Sequence, residues 1–230
     1  MSDFLTRQQT VPPPISLFWF TIMMLLLVIL GYASWKYHDN PRFVKLFRCL
    51  QLLQLACLYL WYISYQIPLA NSLPFYHCRM AMFALLLCPK GSKVRYYFSL
   101  LGLSGAIFAL GYPVFDPYDF PHITSFSFLL GHYALYVNSL NDLLQPAKGK
   151  ILSIKEIVGY TLLMNACLVA VNLLTGGNYG LLSRSPIIQS QDLVLNYVLI
   201  SAVLIGTLLL FDWIFNHQHL LERLKKQVKN

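Results

Sequence analysis

Apolar residues along this chain come in long blocks broken by short polar stretches, without the two-residue alternation of half-buried strands. Reading hydropathy with proline, glycine and charge as breakers places apolar segments near residues 16–35, 46–66, 74–88, 96–113, 122–144, 157–174 and 193–215. Several approach or exceed the roughly 20 residues an α-helix needs to cross a bilayer. The third is short, and a short span is accommodated by low tilt or local thinning of the bilayer. The pattern predicts an all-α fold, a polytopic membrane bundle of about seven transmembrane helices making one integral domain over residues 1–230.

Composition sharpens this. The chain is 57% hydrophobic and 11% charged, against roughly 25% charged in soluble domains. The first run, "ISLFWFTIMMLLLVILGYASW", is long, has no basic stretch before it and leads into further spans, so it reads as a retained helix instead of a cleaved signal. The basic residues then orient the bundle. Lys36, Arg42, Lys45 and Arg48, then Lys90, Lys93 and Arg95, then Lys148, Lys150 and Lys155, and finally Arg223, Lys225, Lys226 and Lys229 occupy alternate connections and the tail. Under the positive-inside rule the N-terminus is outside and the C-terminus cytoplasmic. The net charge of +8 is therefore a topology signal. It is spread over short loops, which argues against nucleic-acid binding and for contact with anionic lipid head groups on the cytoplasmic side.

With this orientation the chemistry gathers at the outer end. The third segment opens with "LPFYHCRMAM", where Pro74 suits a first helical turn, Ser72 or Asn71 a cap, and Cys78 falls in the first or second turn. A helix N-terminus with Arg79 adjacent favours the nucleophilic thiolate. Free cysteine in a membrane helix is more often a small apolar filler, and His77 and Arg79 beside Cys78 are what raise the reactive reading. Adjacent residues on a helix point about a hundred degrees apart, so the base for Cys78 is expected from another span. The fifth offers His122 at its outer end and His132 deeper. Simple depth favours His122, unless the third span is re-entrant. Asn138 and Asn141 share one face of that span, and Asn165 and Asn172 one face of the next; such amides usually hold helices together. Asp142 and Glu156, near cytoplasmic ends, are expected to pair with lysines.

The outer loop "LLTGGNYGLLSRSPIIQSQD" has paired glycines for tight turns, with Asn178, Tyr179 and Arg184 able to supply hydrogen bonds or meet a phosphate. Arg184 is equally read as snorkelling from a plain turn. The five cysteines lack the spacing of a disulfide framework or a zinc site, so neither structural disulfides nor a metal is expected, and no cofactor motif is present.

Three segments in order, "LPFYHC" at 73–78, "FPHITSFSFLLGHYALY" at 120–136 and "NLLTGGNYGLLSRSP" at 172–186, resemble the YwaF-like family of bacterial integral membrane proteins, over about residues 66–216. "LPFYHCRMAM" is similar to its streptococcal branch. That family is in turn similar to an animal transmembrane acyltransferase that remodels ether phospholipids. The resemblance implies Cys78 as nucleophile and His132 in "GHY" as its partner, with Asn178 and Tyr179 lining the site, and a bacterial plasma membrane as the location. In many relatives a histidine or glutamine stands where this chain has Tyr76, with His77 shifted by one.

The leading functional expectation is a membrane acyltransferase, or acyl-ester hydrolase, acting on phospholipid or lysolipid at the outer leaflet through a Cys78 thioester. His132 is its base and His122 the reserve. Tyr76, Tyr179 or backbone N–H groups are candidates to stabilise the oxyanion, and Arg79 or Arg184 to hold a head-group phosphate. The alternatives are a small-solute transporter using His132, Asn165 and Asn172, and a non-catalytic scaffold with small-residue faces such as Gly102, Ser104, Gly105 and Ala106. Oligomeric state is left open by the sequence.

Overall fold

A computed structural model describes residues 3–145, 152–185 and 189–229, with side chains described as far as residue 217. Lys148 and Lys150 of the expected cytoplasmic set, and the side chains of Arg223, Lys225, Lys226 and Lys229, lie outside that description. The helices are α1 Leu17–Tyr37, α2 Pro41–Ser64, α3 Leu69–Ser72, α4 His77–Leu87, α5 Lys93–Gly111, α6 Ile123–Leu143, α7 Ile154–Thr175 and α8 Leu193–Lys229. Each of the seven apolar segments is a helix, α3 being one extra turn before α4. No strand occurs among the described residues, and the fold is that of a polytopic helical membrane protein.

Polar residues start most of these helices. Ser16, Asn40, Ser92, His122 and Ser153 cap α1, α2, α5, α6 and α7 with side-chain hydrogen bonds. At α8 the Asp192 carboxylate accepts from the Leu195 N–H at 2.9 Å. Only α4 among the longer helices begins without such a cap.

Five helices, α1, α2, α5, α7 and the Leu193–His217 part of α8, are long and apolar enough to cross a bilayer by composition. Helix α6 is as long but carries polar residues that the fold hides, Thr124, Ser125, Ser127, Asn138, Ser139 and Asn141 all being buried. It packs against α1, α2, α4 and α5 at the centre of the bundle. The other helices also turn polar residues inward, among them Gln51 and Gln54 on α2, Asn165 and Asn172 on α7 and Asn196 and Asp212 on α8, because only lipid demands an apolar surface.

Ion pairs close the basic end. Arg95 on α5 makes a bidentate pair with Asp142 on α6 and donates to the Cys88 carbonyl at 2.8 Å, tying the end of α4 to the start of α5. Glu156 meets Lys93 as expected. Asp142 instead takes arginines, Arg95 and, at 3.8 Å, Arg48. The planar fork of arginine suits a buried carboxylate better than a lysine point charge. All five cysteines are free thiols.

Candidate functional site

The third span is not one continuous helix. At 1.5 Å per residue, the 11 residues of α4 cover about 16 Å of a hydrocarbon layer about 30 Å thick. The residue after its last turn, Cys88, meets Arg95 at the basic end, and α4 alone is too short to cross the layer. The sequence led us to expect a start near Pro74 with Ser72 or Asn71 as cap; the helix begins three residues later, at His77. Proline disfavours the helical region for the residue before it. Leu73 accordingly is extended, at φ −72° and ψ 153°, and ends α3.

Non-helical backbone at membrane depth needs partners supplied by protein. Tyr179, in the short 3-10 turn Tyr179–Leu181, supplies them: its hydroxyl accepts from the Leu73 N–H at 2.9 Å and donates to the Leu69 carbonyl. Its own backbone is clamped by Asn172 on α7, whose amide accepts from the Tyr179 N–H at 2.7 Å and donates to its carbonyl at 2.9 Å. The tyrosine is fully buried, and that burial pushes its phenol pKa above the ordinary range. Its ring meets Tyr76 at 4.9 Å. Asn178 braces the same loop, accepting from the Ser183 and Arg184 N–H groups and donating to the Arg184 carbonyl. Arg184 itself is exposed.

Cys78 is the second residue of α4, half-buried, with its sulfur packed on Gly105 of α5. A Cβ at Gly105 would sit 2.8 Å from that sulfur. Tyr76 at the N-cap makes no side-chain bond to the first-turn N–H groups of α4. The positive end of the helix thus opens beside the thiol.

Arg79 stands within electrostatic reach of both Cys78 and His132. It donates to the Tyr62 hydroxyl at 2.6 Å and lies over the rings of Tyr62 and Tyr76, at 5.2 and 4.9 Å. It joins no ion pair among the described residues, and Asp116 is an acid within electrostatic reach of it.

His132 lies on α6 one turn outward of Leu135, on the same face. Leu135 packs with Ala81 in the cluster that also holds Cys78, and its Cδ1 would be 2.8 Å from a Cβ at Gly102. The His132 ring turns outward, Nδ1–H donating to the Phe128 carbonyl at 2.6 Å, which leaves the Nε2 lone pair without a hydrogen bond. The recessed start of α4 removes the depth difference that favoured His122. No hydrogen bond joins Cys78 to a histidine among the described residues, so the structure brings these groups to one region without placing them in contact.

His122 is buried at the start of α6 with both nitrogens engaged: Nδ1 accepts from the Thr124 N–H at 3.2 Å, and Nε2–H donates to the Thr6 carbonyl at 3.1 Å. It stacks on Tyr118 at 4.1 Å. His77 makes no hydrogen bond to Cys78 among the described residues, its Nε2 being bonded to the Asn165 carbonyl oxygen on α7 at 2.8 Å. Sequence reasoning missed Tyr62, Tyr59 and Asn71 around Arg79. Tyrosines fill this chain, and only their position beside an otherwise unpaired arginine distinguishes these. Among the described residues no cluster suited to a metal ion occurs.

A family model described as the TMEM164 family matches residues 4–215, and the chain belongs to that transmembrane family. No curated protein and no solved structure matches it.

Proposed function

We propose that this member of the TMEM164 family is a membrane-embedded acyltransferase acting on phospholipid or lysolipid, with Cys78 as nucleophile, His132 as its base, and a site reached from the outer leaflet of the plasma membrane. The observation that carries the reading is a thiol in the uncapped first turn of an apolar helix too short to span a bilayer, within electrostatic reach of Arg79, which also reaches His132. The YwaF-like resemblance, with its likeness to an ether-phospholipid acyltransferase, supports the same pair.

The chemistry runs in two halves. His132 Nε2 takes the proton of the Cys78 thiol as sulfur attacks the ester carbonyl. A C–S bond forms, the ester C–O bond breaks, and the departing lysolipid oxygen receives the proton from His132. An acceptor hydroxyl then attacks the thioester: a new C–O bond forms, the C–S bond breaks, and the hydroxyl proton is transferred to the departing Cys78 thiolate. The free N–H groups at the start of α4 suit the oxyanion, and Arg79, with aromatic faces in place of an ion-pair partner, suits a head-group phosphate. Arg184, exposed on the outer loop, is a second anchor for that phosphate. Tyr179 and Asn178 support the wall that Tyr76 presents. His122, with both nitrogens engaged, caps its helix. The basic cytoplasmic turns face anionic head groups of the inner leaflet.

The test is transfer of a labelled acyl chain from phospholipid to lysophospholipid in vesicles containing the purified protein. Cys78→Ser is expected to lower transfer by at least a thousandfold and Cys88→Ser to leave it at the wild-type rate. Transfer retained in Cys78→Ser removes the thioester mechanism. A second reading, a small-solute carrier, draws on the interrupted third span, since broken helices frame many transporter sites. Solute flux in protein-containing vesicles that survives Cys78→Ser favours it.

A further inference from the structure

His77 has no part in the chemistry above, yet its setting is that of a group prepared to take a proton. The Asn165 amide donates through Nδ2 to the Ser201 hydroxyl on α8 at 2.9 Å, which aims its oxygen at His77, 2.8 Å from Nε2. A carbonyl oxygen only accepts, so Nε2 carries the hydrogen and the lone pair is on Nδ1. Asn165 is fully buried, so the relay is shielded from competing water. On its other side the ring lies against Gly180, where a Cβ would stand 2.9 Å from Cε1 and 3.3 Å from Nε2. Gly180 also holds φ +67°, so both the space and the backbone there exclude a side chain. The imidazole is thus fixed in position and in tautomer.

Among the described residues its Nδ1 has no hydrogen bond. The contrast with His122 is informative, for there both nitrogens are satisfied, as a purely structural histidine requires. His132 presents the opposite tautomer, Nδ1–H with a free Nε2. The bundle therefore holds, away from its basic end, two imidazoles that each have one ring nitrogen without a hydrogen bond among the described residues, on different helices.

We infer that His77, positioned by the Asn165–Ser201 relay, is the base for the acyl acceptor, a lysolipid hydroxyl, in the second half of the reaction. This rests on the Cys78 thioester reading. The acceptor O–H donates to Nδ1 and gives up its proton as oxygen attacks the thioester carbonyl. The C–O bond forms, the C–S bond breaks, and the proton held by His77 passes to the departing thiolate, restoring neutral Cys78 and His77. His132 serves the first half, His77 the second.

The test separates the halves by mass spectrometry of the intact protein in vesicles, following acyl-Cys78 as it forms from phospholipid and as it is discharged by added lysophospholipid. His77→Ala is expected to form the adduct within about threefold of the wild-type rate and to discharge it about a hundredfold more slowly. Added imidazole should speed discharge in His77→Ala, whereas His132→Ala should lose adduct formation and leave discharge of preformed adduct unchanged. His77→Gln keeps a donor for Asn165 and has no base, so it should fold as wild type and discharge as slowly as the alanine variant. Asn165→Leu should slow discharge about tenfold and alter its pH profile while leaving adduct formation intact. Discharge at the wild-type rate in His77→Gln, or an equal loss in both halves, overturns the role of His77. Absence of any adduct in the wild type overturns the thioester reading itself, and this inference with it.

Discussion

The position of the Cys78 sulfur depends on a missing methyl group. Because a Cβ at Gly105 would lie 2.8 Å from that sulfur, Gly105→Ala forces the thiol to shift without touching any charge. Displacement of a reacting atom by about 1 Å costs on the order of a hundredfold in rate. We expect Gly105→Ala to slow Cys78 acylation by 10- to 100-fold while thermal unfolding in detergent moves little; unchanged acylation kinetics would show that the thiol does not react where it packs. At this scale the sequence was informative in uneven ways. Ordered motifs singled out Cys78 and His132 as candidates, and His77 stood beside the cysteine with no part assigned to it. The aromatic setting of Arg79 was not, because Tyr62 and Tyr59 approach it from α2, more than a dozen residues away in the chain, and nothing local marks them.

At the scale of the element, the break between α3 and α4 is what puts the thiol at depth. Hydropathy averages over extended and helical backbone alike, so residues 74–76 counted toward the third span although only His77–Leu87 is helical. The cue that did exist was Pro74, read as a first-turn residue when its stronger effect is on Leu73 before it. Tyr179 then holds the break together. Tyr179→Phe removes the hydroxyl that serves both the Leu73 N–H and the Leu69 carbonyl, leaving two backbone groups unpaired at about 1–3 kcal/mol each. The expected result is lower stability in detergent unfolding and faster hydrogen exchange confined to residues 69–80. Exchange that is unchanged in that stretch would mean the tyrosine ring, and not its hydroxyl, fixes the junction.

Across the whole molecule, the bundle buries polar side chains along α6 and on the facing sides of α2, α7 and α8, and gathers ionic contacts at the basic end. The order of helices and the charge asymmetry were readable because lipid imposes both. The identity of the partners at that end was not, since it depends on which helices meet. Asp142→Leu strands the Arg95 guanidinium in the interior, and losing one partner of such a pair costs about 3–5 kcal/mol. The double variant Arg95→Met with Asp142→Leu should recover most of that loss, as read from unfolding in bicelles. If the single and double variants are equally destabilised, the pair is incidental and packing alone holds α5 to α6.

The most direct measurement is the intact mass of the purified protein after incubation with phospholipid vesicles, for wild type, Cys78→Ser and Cys88→Ser. The account predicts an added fatty-acyl mass on wild type and Cys88→Ser that hydroxylamine removes, and none on Cys78→Ser. An unmodified wild type across donor lipids, or an adduct that persists in Cys78→Ser, contradicts it.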